Sequence, residues 1–360
     1  MKILCVIDSL GSGGAQKQLV ELAKGFQECG HDVSFLTYHK IDFFKEELIQ
    51  RDIIVHCIQD SNYLKRLWKM RSFIRKGKYD AVLSFLEASS FICELAGLPF
   101  RKWKLIVGER SANPNITKSF KLKFYRWFHL LSDFVVSNSY RNRDIVKGIN
   151  SLIPSKKLKV IYNLVDSRND NPNHIQPINK LEREKLVLLI AASQREVKNL
   201  NGLIEAVNVL TESEKNKLSI HWYGDVGDSS FNKALVKIQN YNLEDIFVFN
   251  TATLDIKSKM LAADVIGLFS LYEGFPNTIC EAMSLGKPVI CSSVSDIPLI
   301  IKDGRYLCDP NKTDEIVKVL SYVLKLNSTE LEAIGKTNKE IADSLFNKEQ
   351  IISQYLNLMQ

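Results

Sequence analysis

Strand-like and helix-like segments alternate along this chain, and the alternation runs through it twice. Short runs rich in β-branched and aromatic residues are separated by amphipathic stretches, and the same pattern restarts after a polar interval. Strands that alternate with helical segments pair in parallel and are covered by helices on both faces. We therefore predict an α/β protein with two Rossmann-like, doubly wound parallel-sheet domains. The predicted strands are residues 2–8, 32–38, 53–58, 81–86, 104–108, 134–139 and 159–162 in the first domain, and 186–192, 219–224, 246–250, 265–269 and 289–292 in the second.

The polar interval between the two halves has the composition of a linker. Residues 168–180 contain two prolines and show no apolar periodicity. Helical stretches without intervening strands follow the last predicted strand, at residues 314–326, 329–344 and 347–358. The predicted organisation is a first domain at 1–167, a linker at 168–182, a second domain at 183–345 and a C-terminal helix at 346–360.

Composition narrows the class of protein. The chain has 360 residues and 45% hydrophobic content, which suits two cores. Its seven cysteines are odd in number, scattered and never spaced as C-x-x-C, so the sequence signals neither a disulfide framework nor a zinc site, and we expect a reducing cytoplasm. The apolar run at residues 3–7 is too short for a secretory signal and is better assigned to the first strand.

Charge is distributed unevenly between the two halves. Residues 1–170 carry 28 Lys+Arg and 17 Asp+Glu, a net +11, whereas residues 171–360 carry 20 and 24, a net −4. Much of the excess lies in residues 63–78 and 118–129, where basic and aromatic residues recur at helical spacing. Such helices suit an anionic membrane surface or a phosphate-bearing lipid, and equally a solvated helix with one inward apolar face. No nucleic-acid-binding motif accompanies the charge.

The segment from Ser270 to Ile290 says most about chemistry. The apolar run 265–269 predicts a buried strand, a turn with Gly274 and Pro276 ends it, and a short helix follows with Asn277 as its expected N-cap. A helix N-terminus at the carboxyl edge of a sheet is a site for anions. Two carboxylates beside an anion site suit hydroxyl groups rather than phosphate, so Glu273 and Glu281 indicate a ligand with both, namely a sugar nucleotide.

The spacing Glu273-Gly-Phe-Pro-Asn-Thr-Ile-Cys-Glu281, followed by Gly286-Lys-Pro, resembles the E-x7-E signature of the retaining glycosyltransferases of family 4. The resemblance implies the two-domain GT-B fold, with the donor on the second domain, the acceptor on the first, an interdomain cleft for catalysis, and the last helix crossing back to the first domain. It also implies that Glu273 touches the donor sugar and Glu281 the ribose. The alternative is an ordinary helix-terminus glutamate pair. The expected donor-binding residues of this motif are Gly274, Phe275, Pro276, Asn277 and Thr278, besides Glu281.

Two cations follow the first strand of the second domain. Arg195 and Lys198 lie where a diphosphate clamp is expected, since a guanidinium and an ammonium together neutralise a pyrophosphate leaving group. Lys198-Asn199 fits the Lys-Asn common in the family, whereas Ser193 stands where the family often has arginine. Either cation could instead be an ordinary surface residue.

The first strand is followed by a glycine-rich turn, Gly11-Ser-Gly13-Gly14-Ala-Gln16. A dinucleotide fingerprint would need a third glycine at Gln16 and an acid after the second strand, so NAD binding is disfavoured. The family's loop is Gly-Gly-Ala followed by Glu or Gln, and by that resemblance Gly13 and Gly14 let the backbone approach the donor phosphate and the acceptor. A tight strand-to-helix turn would need them equally.

Two further pairs of residues are candidates. Glu109 and Arg110 follow the fifth strand of the first domain and are the predicted acceptor-side residues, although a local ion pair would explain them as well. Gly224-Asp225 resembles a family turn that faces the nucleotide base. Residues 163–166 resemble the family's Asn-Gly-Val-Asp and are expected to shape the hinge.

The resulting prediction is a metal-independent retaining glycosyltransferase that moves a hexosyl or N-acetylhexosaminyl group from a UDP-sugar to a saccharide or lipid-linked acceptor in surface polysaccharide biosynthesis. No cofactor, metal or nucleic acid is expected, and no D-x-D metal motif occurs. The expected location is cytoplasmic, peripheral on the inner face of the cytoplasmic membrane. The alternatives are a sugar-nucleotide epimerase or phosphorylase of the same fold, and a non-catalytic sugar-nucleotide-binding subunit.

Overall fold

A computed structural model describes residues 1–165 and 185–360 of the chain. These residues form two compact units. The first contains Met1–Leu164 and Phe346–Gln360, and the second contains Val165–Leu345. The predicted linker at 168–182 and Asp166 lie outside the described residues.

The first unit is built on a parallel sheet in the order β3-β2-β1-β4-β5-β6-β7. Its side chains alternate between two cores, because successive residues of a strand point to opposite faces. Ile3 and Cys5 enter one core and Leu4 and Val6 the other. The strands are β1 (Lys2–Val6), β2 (Asp32–Thr37), β3 (Ile54–Cys57), β4 (Ala81–Phe85), β5 (Lys104–Glu109), β6 (Phe134–Ser137) and β7 (Leu158–Val160).

Helices cover both faces of this sheet. Side chains from α1 and α15 fill the core that contains Ile3, whereas side chains from α3, α4 and α6 fill the core that contains Leu4. Asn62, Ser119 and Ser139 accept backbone N–H bonds at the starts of α3, α5 and α6, which is the usual role of short polar side chains there. The helices are α1 (Gly14–Glu28), α2 (Lys45–Ile49), α3 (Tyr63–Lys76), α4 (Glu87–Ala96), α5 (Phe120–Trp127), α6 (Tyr140–Ile149) and, from the C-terminal segment, α15 (Lys348–Met359).

The second unit contains a parallel sheet in the order β10-β9-β8-β11-β12-β13. The strands are β8 (Leu186–Ala191), β9 (Leu218–Tyr223), β10 (Phe247–Asn250), β11 (Val265–Leu268), β12 (Val289–Ser292) and β13 (Leu307–Cys308). The helices are α7 (Leu200–Val209), α8 (Glu212–Asn216), α9 (Ser230–Asn240), α10 (Ile256–Ala262), α11 (Asn277–Ser284), α12 (Ile297–Ile300), α13 (Thr313–Val323) and α14 (Ser328–Leu345).

The predicted fold class is confirmed, and every predicted strand is present with its ends displaced by at most two residues. Two details were wrong. Strand β13 was missed, because Leu307–Cys308 is too short to show a period-two pattern. The expected N-cap Asn277 is instead the first residue of α11, and Pro276 precedes the helix without a side-chain cap bond. Proline suits that position because its fixed φ is compatible with helix entry.

Both sheets reverse their strand order beside the first strand of the unit. In the first sheet the reversal lies between β1 and β4, and in the second between β8 and β11. Loops leave a parallel sheet in opposite directions on the two sides of such a point, which opens a crevice at the carboxyl ends of the strands. The loops after β1, β8 and β11 carry most of the predicted site residues.

Candidate functional site

The reversal point of the second sheet brings Lys198 and Glu273 together. Lys198 ends a short 3-10 helix, Glu196–Lys198, after β8, and Glu273 lies in the turn after β11. The Lys198 Nζ and Glu273 Oε1 atoms are 2.5 Å apart, with the side chains only 22% and 13% exposed. The Leu271 N–H also donates to the Val197 carbonyl at 2.9 Å. Two loops that are 75 residues apart in sequence are therefore joined by an ion pair and a backbone hydrogen bond.

Asn199 fixes the backbone conformation of the loop directly after Lys198. Its backbone is left-handed, with φ of 60°, a conformation that asparagine adopts more readily than most residues. Its side chain accepts the Gly202 N–H at 3.2 Å, capping α7, and donates to the Pro310 carbonyl at 2.8 Å. The Lys-Asn pair of the sequence therefore consists of a charged residue and the residue that orients it.

The start of α11 lies beside this ion pair. The Thr278 hydroxyl donates to the carbonyl of Ala191, the last residue of β8, at 3.1 Å, which ties the helix N-terminus to the sheet edge. Glu281 follows Asn277 by one helical turn and is half-buried. The first-turn N–H groups of a helix have no partner within it and carry the positive end of its dipole. The arrangement offers an anion site flanked by two carboxylates.

The residues between Glu273 and α11 shape this turn. Phe275 and Pro276 are buried, whereas Gly274 is half-buried and its carbonyl accepts the Ser295 hydroxyl at 3.2 Å. Of the predicted donor residues, Phe275 and Pro276 therefore support the loop from within. Gly274, Asn277, Thr278 and Glu281 are the ones with partly exposed surface.

The turns after β8 and β9 are also joined. The Gln194 side chain donates to the Gly224 carbonyl at 2.9 Å, and a Cβ at Gly224 would lie 2.0 Å from the Ala192 carbonyl oxygen, so only glycine fits there. Arg195 is exposed, and its aliphatic stem covers Gly227. The structure places Arg195 at the outer end of the loop that carries Lys198.

Gly13 and Gly14 open α1 at the reversal point of the first sheet, with Gly13 as the N-cap. The Gln16 side chain turns back and donates to Asp8 Oδ1 at 3.0 Å, and a Cβ at Gly13 would meet that amide at 2.3 Å. Gly13 and Gly14 are exposed. The turn therefore presents bare backbone at the start of a helix.

Glu109 and Arg110, although adjacent in sequence, have separate partners. Arg110 lies over the Phe85 ring, 3.8 Å from its centroid, and donates to Asn163 and to the Tyr355 hydroxyl. It braces α15 and residue 163 against the sheet edge. The expected hinge role of residues 163–166 stays a prediction, since residue 166 lies outside the described residues. No ion pair between Glu109 and Arg110 is present in the described residues.

Glu109 is 4% exposed and belongs to an ion cluster, which we define as Glu87, Glu94, Glu109, Arg126 and His129; all of these but Glu87 are buried. Glu109 Oε2 is 2.7 Å from an Arg126 nitrogen and Oε1 is 2.8 Å from His129 Nε2. His129 Nδ1 is 2.7 Å from Glu94 Oε1, and Arg126 also contacts Glu87 at 3.2 Å. Because both oxygens of Glu109 are occupied by this cluster, the geometry does not favour direct acceptor binding by Glu109, and that role stays a prediction.

Burial and charge oppose one another in this cluster. Burial alone would lower the pKa of His129, but the carboxylates of Glu94 and Glu109 outweigh it and raise the pKa to about 9. Burial raises the pKa of Glu94, with His129 opposing it. For Glu109, burial acts to raise the pKa, and Arg126 and His129 overcome it and hold the pKa below its usual value. His129 is therefore charged at neutral pH.

Sequence reasoning missed Arg126 and His129 as buried residues. Both fall in residues 118–129, whose mixture of basic and aromatic residues was assigned to a surface helix. The signal in the sequence was their spacing, because residues three apart lie on the same face of a helix. Phe120 and Trp127, which are exposed, do not lie on that face. A buried acid elsewhere was needed to interpret that spacing, and the sequence does not show which one.

Comparison with known proteins identifies the family. Residues 12–169 match the profile described as "Glycosyltransferase Family 4", and residues 170–341 match "Glycosyl transferases group 1". The chain belongs to the family 4 glycosyltransferases. It is accordingly a glycosyltransferase with two Rossmann-like domains of the GT-B type.

Relatives and solved structures extend over nearly the whole chain. An N-acetyl-alpha-D-glucosaminyl L-malate synthase of Bacillus anthracis is 23% identical, covering 95% of this chain and 92% of that protein. A GalNAc-alpha-(1->4)-GalNAc-alpha-(1->3)-diNAcBac-PP-undecaprenol alpha-1,4-N-acetyl-D-galactosaminyltransferase of Campylobacter jejuni is 25% identical, covering 100% of this chain and 98% of that protein. The crystal structure of Anabaena HepE in complex with UDP and glucose matches with a TM-score of 0.84 at 19% identity, covering 99% and 98%. The structural likeness establishes the fold.

The pKa of His129 generates a prediction about stability. A histidine whose pKa is raised on folding stabilises the protein below its unfolded pKa of about 6.5, and this stabilisation is lost as the pH rises through about 9. The thermal unfolding midpoint of the first unit should therefore be lower at pH 9.5 than at pH 7. The corresponding loss in the free energy of unfolding is on the order of 3 kcal/mol at most. In Glu94→Gln the midpoint should be lower at pH 7 and fall less, because one stabilising carboxylate is gone. Calorimetry at the two pH values measures this.

Glu46→Gln is the matched control, since Glu46 is exposed on α2 and outside the ion cluster. It should keep the wild-type dependence on pH. Identical pH dependence in wild type and Glu94→Gln would contradict the assignment of a charged His129.

Proposed function

We propose that the protein moves a hexosyl or N-acetylhexosaminyl group from a UDP-sugar to a saccharide or lipid-linked acceptor in surface polysaccharide synthesis, with retention of anomeric configuration and without a metal ion or other cofactor. The observation that carries the proposal is the Lys198–Glu273 pair beside the N-terminus of α11. The activities for which the two N-acetylhexosaminyl relatives are named, and the UDP complex of HepE, support the donor class.

Binding of the donor would break the Lys198–Glu273 ion pair, and both side chains would then contact the donor. As a diphosphate approaches α11, Lys198 exchanges the Glu273 carboxylate for a phosphate oxygen, and Arg195 contributes a second charge from the same loop. Glu273 is then free to accept a hydrogen bond from a sugar hydroxyl. Glu281, one turn into the helix, accepts from the ribose hydroxyls. The resting ion pair thus keeps both side chains oriented until the donor arrives.

The chemical step we propose is substitution at the face from which the leaving group departs. The bond between the anomeric carbon and the phosphate oxygen breaks as the acceptor oxygen approaches the same face, and the departing phosphate oxygen takes the acceptor's proton. UDP and the glycoside are the products. Preorganised charges that face the leaving oxygen stabilise the transition state, and here Lys198, Arg195 and the α11 N-terminus take that part.

The first domain is proposed to bind the acceptor. Gly13 and Gly14 present exposed backbone after β1, where a hydroxylated or phosphorylated group can approach closely. Glu109 and Arg110 would act by holding the neighbouring loops through Arg126, His129 and Tyr355 rather than by direct contact.

A membrane surface is proposed to present the acceptor. None of the helices in the described residues is long and apolar enough to cross a membrane. On α3, however, Leu64 and Trp68 are exposed on one face, and the loop carrying Leu98 and Phe100 is held beside that face by Arg75, which donates to the carbonyls of residues 96, 98 and 100. Trp68 is 66% and Phe100 83% exposed. Exposed aromatic residues among basic ones are typical of interfacial helices.

The donor site is tested by binding and turnover together. Glu281→Ala should weaken binding of free UDP by roughly tenfold or more, because hydrogen bonds to a charged acceptor are lost. Glu273→Ala should leave UDP affinity nearly unchanged and reduce kcat, and Lys198→Ala should reduce kcat by about a hundredfold, the scale of one preorganised charge. Titration calorimetry with UDP and a coupled UDP-release assay give the two measurements.

Glu244→Ala serves as the control, since Glu244 is an exposed glutamate of the same domain. It should match the wild type in both assays. Wild-type UDP affinity in Glu281→Ala would refute the ribose contact, and more than half of wild-type turnover in Lys198→Ala would refute the leaving-group clamp.

Membrane docking makes a separate prediction. Liposome flotation should show binding to phosphatidylglycerol vesicles at low salt and release at high salt, because each basic residue near an anionic surface contributes roughly 1 kcal/mol and screening shortens its reach to about 10 Å at 0.1 M. The double change Lys65→Glu and Trp68→Ala should abolish binding without unfolding α3, since Lys65 lies in the first turn and glutamate is favourable there.

The matched control is Lys318→Glu with Leu254→Ala, an exposed cation and an exposed leucine of the second unit. It should bind vesicles like the wild type. Arg75 is left intact because it holds the loop at residues 96–100. Failure of the wild type to bind anionic vesicles at low salt would remove the docking surface from the proposal.

A further inference from the structure

A groove on the first unit lies between α3 and the edge strand β3, with a volume of about 650 Å³. Its walls come from three elements: Lys2 begins β1, His56 belongs to β3, and Lys69, Phe73 and Lys76 belong to α3. All of these residues lie within Met1–Leu164. The groove is separate from every residue assigned above to the donor site.

The groove uses a different face of α3 from the exposed apolar residues. Successive residues of a helix are turned by roughly 100°, so Lys69, Phe73 and Lys76 project together on one side, while Leu64 and Trp68 project on another. The third face carries the buried Met70 and Ile74. The basic residues of this helix are therefore divided between a lipid-facing candidate surface and a cationic groove.

The groove has more lysine ammonium groups than carboxylates that pair with them. Lys69 is paired with Asp60 at 2.7 Å. Within residues 1–165 and 185–360, no carboxylate lies within 4.0 Å of the ammonium of Lys2 or of Lys76. Asp80 is near, but it accepts from the backbone N–H of Lys2 at 2.6 Å. Two ammonium groups therefore face one groove without a carboxylate partner there.

Aromatic rings line the groove, and one of them contacts Lys2. The Lys2 Nζ atom lies 5.2 Å from the centroid of the Tyr79 ring, a cation–π contact. The His56 ring packs on Phe73 with centroids 4.7 Å apart. Burial, and secondarily the charge of Lys2, lower the pKa of His56, so its imidazole is neutral at pH 7 and offers an N–H donor. Ser72 adds a hydroxyl to the same wall.

We propose that this groove binds a phosphate group, with Lys2 and Lys76 as its charge partners and His56 and Ser72 as hydrogen-bond donors. Ammonium groups without carboxylate partners, neutral donors and a rigid wall make a site that suits a compact anion with several acceptor oxygens. The phosphate could come from an anionic lipid headgroup beside the exposed face of α3 or from a soluble phosphate compound. The proposal does not rest on the transfer chemistry of the second domain.

The test follows the His56 imidazole by NMR in the full-length protein, with its signal assigned through His56→Gln. A bound phosphate offsets the repulsion from Lys2, so the pKa of His56 should rise saturably as sodium phosphate replaces sodium chloride at constant ionic strength. Lys2→Gln and Lys76→Gln should each weaken phosphate binding about twofold to fivefold, the range of exposed ion pairs. Lys102→Gln with Lys156→Gln, two exposed lysines of the same unit outside the groove, should change nothing.

Two further titrations distinguish a soluble phosphate from a lipid headgroup. One uses glycerol 3-phosphate in solution, and the other uses phosphatidylglycerol bicelles, with phosphatidylcholine bicelles as the neutral control. A response to inorganic phosphate and glycerol 3-phosphate supports a soluble ligand, and a response to phosphatidylglycerol alone supports a lipid headgroup. Absence of a saturable response to all three, or an equal response in Lys2→Gln with Lys76→Gln, overturns the proposal. UDP titration calorimetry on the same variants should be unchanged, which keeps this outcome distinct from that of the donor site.

Discussion

The ion pair between Lys198 and Glu273 depends on one topological fact, the reversal of strand order between β8 and β11. Adjacent parallel strands end at the same edge of a sheet, so the loops that follow them meet although 75 residues separate the two side chains. The Thr278 hydroxyl bond to Ala191 then places the α11 N-terminus at that edge. A cation, two carboxylates and the N-terminus of a helix are thereby assembled at one edge of the sheet, where the proposed function places a polyhydroxylated diphosphate.

In the first unit, buried charged side chains have a structural role. The Glu109, Arg126 and His129 groups are enclosed and paired with one another, so truncating one partner would leave another buried charge unpaired at a cost of several kcal/mol. Such a cluster fixes the relation between β5 and the helical segment of Arg126 and His129. The Lys198 and Glu273 side chains keep 22% and 13% of their surface exposed, so a ligand can reach this pair, whereas Glu109, Arg126 and His129 are almost fully enclosed. In the proposed function, the first unit uses buried ion pairs to position its elements, and the second unit uses an ion pair to bind the donor.

The parallel-sheet architecture could be predicted from the sequence because alternation and strand length are local signals. Lys198 and Glu273 were each predicted by pattern, but their contact was not, since pairing depends on strand order. Glu109 and Arg110 show the converse: adjacency in sequence suggested a shared role, yet Glu109 is the last residue of β5 and Arg110 begins the loop that follows, and the two have different partners. Glu109 enters the ion cluster and Arg110 turns to Tyr355. The partners that decide these roles, His129 and Tyr355, are distant in sequence and carry no local signature.

The proposed reaction passes a sugar from a nucleotide to an acceptor with retention at the anomeric carbon. The most direct measurement is proton NMR of the purified protein with UDP-N-acetylglucosamine or UDP-glucose, with and without free and undecaprenyl-diphosphate-linked N-acetylhexosamines. If the proposed function is correct, UDP appears only when an acceptor is present. The anomeric proton of the transferred sugar then shows the small coupling constant of an α-linkage, as it does in the donor. UDP release at the same rate without acceptor, or a β-linked product, would contradict it.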